Sequence, residues 1–506
     1  MKEHSSKIAF LESHTLQSLE KHVVVEDDTR LKIRARIRGF FLRTLLGIEN
    51  GVLYVFSLRE RMLRERLVLE DLKNERIIDS YGEGVVYADY PRINFFGIFF
   101  RVGANEKVLR SWGYAMPYED KSLALRKALW ELCERSASFF SKEGETEKGV
   151  TERKGDATPL YESIPKCTEA QTKVHDDIVR SVDDLRSITG RRMRPLFGGS
   201  SKFIPLQTFF WGDRIADGDV YLHEPTTSGS GAGTSFETAT VSALYELIER
   251  DHFLLYWFSG VAPREIDVRL VEGQFFDAVR DARERFGLEV YFFDTTYDID
   301  VRACVCLIID PVLDIAALGG KVSALSEHAL TASYLEALAT LNLVRSRNAR
   351  VGEERLTKLV EEKNWGSMSV DKSARVNLYN SPKGIRMLRE MFLGREAKQI
   401  TYPEYSAQSR SWENEGEEYR HLAHEMERLY QKKGEGYETY VHEFTSPLAK
   451  RFGYRVVHAF VPAFLKMHLT ERFVAPISPR LTEFMKTHNK SDIALSNLRH
   501  LPHPFP

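Results

Sequence analysis

Residues 226–258, TTSGSGAGTSFETATVSALYELIERDHFLLYWF, place a Gly/Ser-rich turn directly before a long helix-period apolar run with acids set into its middle. Gly229, Gly231 and Gly233 permit close backbone approach, and Ser228, Ser230, Thr234 and Ser235 offer hydroxyls. Free N–H groups at a helix start favour a bound phosphate, although a Gly/Ser turn is common without any ligand. The turn is neither a Walker A loop nor a Rossmann fingerprint, because GAGTS lacks the GK[ST] ending and GSGAGTS does not supply GxGxxG. A nonstandard nucleotide-binding arrangement survives that elimination.

The acids of this helix have a counterpart upstream. Glu246 and Glu249 sit in YELIERD, and Glu131 and Glu134 sit in WELCERS, so each pair is spaced i,i+3 on one helix face. Four converging carboxylates would repel one another unless cations lay between them, and oxygen-only ligands suit magnesium. Arg135 and Arg250 follow their acids directly and can oppose carboxylates or phosphate oxygens. Spacing alone fits solvated, salt-bridged helices equally. The turn one helix length upstream of Glu246 and Glu249 is what favours joint handling of phosphate and magnesium.

Outward from this core, DVYLHEPTTSG (219–229) reads as a strand, and LEVYFFDTTYDIDVRACVCLIIDPVL (288–313) as two strands around a polar turn. EHALTASYLEALATLNLVRSR (327–347) reads as a helix and GYRVVHAFVPAF (453–464) as a buried strand. Upstream, VVYADYPRINFFGIFFRVG (85–103) is strand-like and EDKSLALRKALWELCERSASFF (119–140) helical. Strand pairs followed by helices predict an α+β architecture of mixed or antiparallel sheets and packed helices. A small mixed domain over 1–74 and a main domain over 75–506 are expected. Residues 141–157, almost wholly charged or small, read as a flexible excursion, 403–432 as solvated helix and loop, and 501–506, LPHPFP, as a stiff tail.

At 506 residues, 43% hydrophobic, the chain has material for several cores, which excludes global disorder. Lys and Arg total 71 against 73 Asp and Glu, so the net charge of −2 gives no overall basic field for nucleic acid. Cys133, Cys167, Cys304 and Cys306 form neither a disulfide framework nor a zinc pattern, and Cys304 and Cys306 read as small core residues of one strand face. No signal segment or run of about 20 apolar residues is present, so a cytoplasmic protein without membrane association is expected. His458 and Asp251 are candidate polar site residues, each equally explicable as a local structural group. No Ser/His/Asp or Cys/His nucleophilic constellation is found.

The ordered set WELCERS, SGSGAGTSFETATVSALYELIERD, ALTASYLEAL, FVP and terminal PHPFP resembles the YcaO superfamily, in particular the cyclodehydratases of thiazole/oxazole-modified peptide pathways. The resemblance spans about 75–506. It implies a YcaO-like nucleotide-binding fold, ATP and Mg2+ as cofactors, and phosphorylation of a peptide amide oxygen while a substrate Cys, Ser or Thr attacks the carbonyl. By motif, Glu131, Glu134, Glu246 and Glu249 would serve magnesium. Ser228, Gly229, Thr234, Glu237, Arg250 and Arg135 would lie near the nucleotide, and His458 would occupy a place where relatives often carry arginine. Pro502, Pro504 and Pro506, with its carboxylate, would order the active site. The implied partners are a precursor peptide, a separate leader-binding or ThiF-like protein and a second copy of the chain.

Four positions depart from the family pattern. SWG (111–113) puts Trp112 in place of a lysine, with Arg110 and Lys127 as substitutes; Thr238 follows Glu237 where a second acid is usual; Ala332 precedes Ser333 and Glu336 where arginine is usual; and His458 is the fourth. A scaffold without turnover, or a thioamide- or amidine-forming enzyme, are the competing readings.

Overall fold

A helix over 63–74 (α1) is the first described element in a computed structural model, which describes residues 63–85, 90–102, 107–137, 161–175, 177–181, 184, 190–197, 201–209, 220–224, 226–345, 357, 377–394, 398–468, 473–490 and 502–505. Most of the expected 1–74 domain, the 141–157 excursion and Pro506 lie outside these residues. The chain divides into two compact units, one holding residues up to 88, 92–136 and 446–454, the other 89–91, 137–445 and 455–506.

In the first unit, β1 (Ile78–Val85), β2 (Asn94–Val102) and β3 (Lys107–Ala115) form an antiparallel sheet that leads into α2 (Ser122–Ala137). Gly97 stands opposite Trp112, and a Cβ at Gly97 would strike the indole at 2.3 Å. The small residue therefore makes room for the large one.

Among the described residues the second unit holds three sheets. A hairpin joins β4 (Gly190–Met193) to β5 (Lys202–Pro205). β6 (Ser230–Gly233) precedes α3 (Phe236–Ser259), and β7 (Arg264–Asp267), α4 (Gln274–Glu284), β8 (Glu289–Asp294), β9 (Arg302–Asp310), β10 (Ile315–Ser323) and α5 (Ser326–Val344) follow. Next come α6 (Pro382–Leu393), β11 (Gln399–Thr401), α7 (Glu415–Lys433), β12 (Tyr440–Glu443), β13 (Arg455–Phe460) and α8 (Pro479–Thr487). Strands run in the order β10-β9-β8-β7-β11, antiparallel except for β11 alongside β7, and β12-β13-β6 makes a separate antiparallel sheet. This is the α+β layering, with mixed and antiparallel sheets, that the sequence predicts.

α3 is apolar almost all round, which is the signature of an interior helix. Ser235 and Thr238 form its capping box, and Gly260, in the left-handed region at φ 68°, ends it. Leu247, Ile248, Leu254 and Trp257 are buried on its sides.

One packing device recurs three times. A Cβ on Gly113 would lie 1.8 Å from Ala124 O and 2.6 Å from Ala128 N; on Gly231, 2.4 Å from Ala239 O and 2.3 Å from Ala243 N; on Gly319, 2.3 Å from Ser333 O and 2.4 Å from Ala337 N. In each case a strand glycine rests on one turn of the helix that follows it, so the absent side chain sets the strand-to-helix distance. Gly231→Ala is expected to cost roughly 1–3 kcal/mol by overpacking, read as a lower urea midpoint.

Three sequence expectations shift. Among the described residues the predicted strand 219–229 forms a single bridge, Tyr221 with Ile178, while SGAG, read as turn, is β6 itself. The turn is confined to Thr227–Ser230, closed by Ser230 N–H donating to Thr227 O at 2.9 Å. The stretch 403–432 is less solvated than its composition suggests, because Leu422, Met426 and Leu429 of α7 pack fully buried against α3. The tail is docked: Tyr379 Oη donates to Pro502 O at 2.6 Å, and Phe505 meets Phe253 with ring centroids 4.3 Å apart. Cys304 and Cys306 are buried core residues, as read from the sequence. Among the described residues no helix is long and apolar enough to cross a membrane.

Candidate functional site

Charged residues in the middle of a buried helix must be paired, since each ion loses its water on burial. Glu246, Glu249 and Arg250 lie in the middle of α3, at the level where α3 meets β10. The Arg250 guanidinium stands 3.8 Å from Glu246 and 3.6 Å from Glu249, and Lys321 of β10 stands 4.0 Å from the other Glu249 oxygen. Glu336 of α5 accepts from Gly320 N–H at 2.9 Å and adds its charge to the same field. Three carboxylates thus face two cationic side chains.

Burial raises the carboxyls of Glu246 and Glu249, with Glu336 adding to the rise and Arg250 and Lys321 opposing it; Glu249 reaches about 7. Loss of water would lower the Arg250 guanidinium, but Glu249, Glu246 and Glu336 together hold it above its ordinary value. The Gly229 backbone N–H also stabilises the Glu246 carboxylate, which ties the turn to the acids. Gly229 adopts φ 89°, and a Cβ there would meet Ala459 O at 2.5 Å, so only glycine fits. Ser228 is buried beside it, its N–H donating to Thr226 Oγ1 at 3.2 Å.

Thr234 just precedes the N-terminal end of α3 and Glu237 lies in its first turn. Glu237 is exposed in the first turn, its carboxyl held down by its own backbone N–H, Ser235 and Arg455. Nine residues of helix, about 14 Å, separate it from Glu246. The capping box at the start of α3 occupies two backbone donors, Thr238 N–H on Ser235 Oγ at 3.1 Å and Ser235 N–H on Thr238 Oγ1 at 2.9 Å.

His458 lies on the face of the β6-β13-β12 sheet away from α3. Its Nδ1 meets Ser230 Oγ at 3.0 Å and its ring packs edge-on to Phe209. Burial and Lys466 drop its pKa to about 3, so the imidazole is neutral, and its Nε2 faces the Ser228–Gly229 turn, 3.5 Å from where a Cβ on Gly229 would lie. Asp251 is structural: it accepts from Leu465 N–H and from Arg480.

In the first unit, Glu131 accepts from Trp112 N–H at 2.5 Å and pairs with Arg135 at 2.5 Å, while Arg135 also donates to Arg110 O. Glu134 lies one turn from Glu131 on α2. Of the two substitutes named for the missing lysine, Lys127 donates to Tyr114 O at 3.1 Å and the Arg110 guanidinium lies over Phe99.

Sequence reasoning assigned no role to Lys321, Gly320, Glu336 or Phe505. Phe505 lies under Arg250, 5.6 Å from guanidinium to ring centroid, and leaves no space for a side chain on Gly320. The paired glycines of LGGK (318–321) on a strand were the available signal: Gly319 seats α5, and Gly320 clears Phe505 and presents its N–H to Glu336.

The donor set suits a hard divalent cation, being carboxylate oxygens with more negative charge than their partners neutralise. Among the described residues, no three His, Cys, Asp or Glu side chains are gathered closely enough to hold one; Arg250 and Lys321 take up the carboxylates instead.

The family described as YcaO cyclodehydratase, ATP- and Mg2+-binding, matches residues 119–465. No curated protein matches the chain. Among solved structures, a heterocyclase in complex with substrate and cofactor superposes with a TM-score of 0.67 at 14% identity, over 87% of this chain and 57% of that one. The chain therefore spans little more than half of that relative. A YcaO protein from Methanopyrus kandleri bound with AMPPCP and Mg2+ gives 0.54 at 16% identity over 80% and 90%. The E. coli microcin synthetase McbBCD complex gives 0.53 at 15% over 84% and 96%. These likenesses establish the fold.

Proposed function

Because the chain belongs to the YcaO family, we propose that it uses ATP and Mg2+ to activate a backbone amide of a peptide, and that the product is an azoline formed by cyclodehydration of Cys, Ser or Thr. The observation that carries this reading is the buried Glu249 with half-buried Glu246 and Glu336, set against Arg250 beside the Ser228–Gly229 turn. Magnesium, when bound, neutralises phosphate charge. Glu246 and Glu249 would hold it, with Glu336 adjoining and Glu131 and Glu134 in the same role.

The chain's own groups then have distinct tasks. Arg250 would leave the carboxylates for phosphate oxygens, its planar fork suiting bidentate contact. The Gly229 N–H and the Ser228 hydroxyl would orient the phosphates, with Thr234, Glu237 and Arg135 as more distant contacts to the nucleotide. Phe505 would keep the Arg250 side chain in place, and the Pro506 carboxylate would act at the end of the docked tail. Heterocyclase and microcin synthetase structures of the same fold, one with substrate bound, support a precursor peptide as substrate and a leader-binding or ThiF-like protein as partner; a homodimer is part of the same proposal.

The test is phosphate release with a Cys/Ser/Thr-rich peptide and its partner protein, followed by mass spectrometry. Peptide-dependent phosphate release with loss of one water per ring is expected. Phosphate release with no loss of water would redirect the proposal to thioamide or amidine chemistry. The second reading, a binding scaffold without turnover, is favoured by Trp112 in the lysine position and by Arg250 and Lys321 already lying against the acids. It predicts peptide binding with no phosphate release.

A further inference from the structure

The face of the β6-β13-β12 sheet turned away from α3 carries a second polar group. Val457 and Ala459 face α3, while His458 and Phe460 alternate to the other side, where Phe209 and Leu222 join them. Lys466 reaches over this face. Its Nζ donates to Thr208 O at 3.3 Å, meets His223 Nε2 at 3.2 Å and lies 4.5 Å from the Phe460 ring centroid. Among the described residues it forms no ion pair. Lys466 and His223 line a pocket whose other walls include Leu222, Phe464, Met467 and Phe473.

We propose that this pocket binds a small monocarboxylate with an apolar body, its carboxylate seated on Lys466 Nζ. A half-buried ammonium on a largely apolar wall that touches only neutral acceptors is left without a counter-charge, and one incoming carboxylate supplies it. The apolar walls select the rest of the ligand. A phosphate fits less well, because one ammonium cannot satisfy its several charged oxygens, and Glu224 on the pocket wall would repel a second negative charge.

The protonation chemistry follows. Desolvation lowers the Lys466 amine to about 7, so near neutrality the unliganded pocket holds a mixture of amine and ammonium, and a bound carboxylate restores the proton. The titratable groups around it are His223 and Glu224 from the preceding loop, His442 of β12, His458 of β13 and His468 beyond Lys466. Burial and Lys466 keep His223 and His458 below their ordinary range, so near neutrality the proton taken up with the ligand goes to Lys466.

The experiment is trace competitive acetylation of the full chain with isotopic acetic anhydride over a pH series, with and without isobutyrate, read lysine by lysine by mass spectrometry. Without isobutyrate, Lys466 is expected to titrate near neutrality. With it, Lys466 should be protected about tenfold, equivalent to a shift of one pH unit, while other lysines are unchanged and inorganic phosphate gives no protection. Isobutyrate should also raise the melting temperature of the wild type and not of Lys466→Met. Reactivity of Lys466 indifferent to isobutyrate, or protection equal with phosphate, would overturn the proposal. Should Lys466→Met fail to fold, the wild-type labelling decides alone.

Discussion

Arg480→Met is expected to destabilise the protein by roughly 3–5 kcal/mol, the cost of leaving buried carboxylates without their partner, read as a lower urea midpoint at neutral pH. Arg480 of α8 is fully buried. Its Nε donates to Asp251 at 2.8 Å, and its two terminal nitrogens reach both oxygens of Asp298 at 2.9 and 3.0 Å. Phe464, Tyr297 and Tyr437 surround the guanidinium plane. Arg480, with His252 assisting, holds Asp298 below the usual carboxylate range against desolvation. A depressed carboxyl adds stability above its unfolded pKa and loses it as pH falls through the folded one, so the wild type should lose this contribution in acid and the variant should lack it throughout. Arg480→Lys keeps the charge but not the fork, and should fall between the two. Because Asp251 is the next residue after Arg250 and also fixes Leu465 N–H, this network holds α3 in the rotation that directs Glu249 and Arg250 to the site.

The parts of the site legible in the sequence were those written within one helix. Glu246, Glu249 and Arg250 share a short motif, and the helix period alone puts them on one face; the Gly/Ser turn before them was visible for the same reason. The contributions from β10, α5 and the tail were not visible, because Lys321, Glu336 and Phe505 reach α3 only through sheet order and helix packing. The turn glycines show how one residue type carries two meanings. Gly229 does supply a left-handed turn, but Gly231 and Gly233 are strand residues whose missing side chains admit the backbone of α3. His458 shows what strand alternation adds: the sequence noted only that it stands where relatives often carry arginine, whereas the sheet turns it away from α3 and sets its Nε2 beside the Ser228–Gly229 turn, where burial keeps it neutral. The α+β order of strands and helices was readable because apolar runs such as 288–313 and 327–347 have unmistakable periods.

The largest functional effect is expected from Glu246→Ala with Glu249→Ala: loss of magnesium-dependent ATP binding by at least about a hundredfold, equivalent to roughly 2.7 kcal/mol, in a protein whose circular dichroism is unchanged. Calorimetry with and without magnesium makes the measurement, and full-strength binding by the folded variant would refute the assignment of these two carboxylates. The pH dependence adds an independent check. Glu249 titrates near 7 because its burial outweighs Arg250 and Lys321, so a cation entering below that pH must displace a proton. Affinity should therefore fall about tenfold per pH unit below 7 and level off above it. The cation-free protein should show the opposite trend in stability. A carboxyl raised above its unfolded value of 4.5 stabilises the fold fully below that value, and the contribution is lost as pH rises toward 7. Glu249→Gln, which keeps the shape and cannot ionise, should flatten both profiles: it removes the fall in stability between acid and neutral pH, and it leaves ATP binding weak and no longer dependent on Glu249's proton. A variant that kept the wild-type pH profile would place the titrating group elsewhere in the cluster, with Glu246 as the next residue to replace.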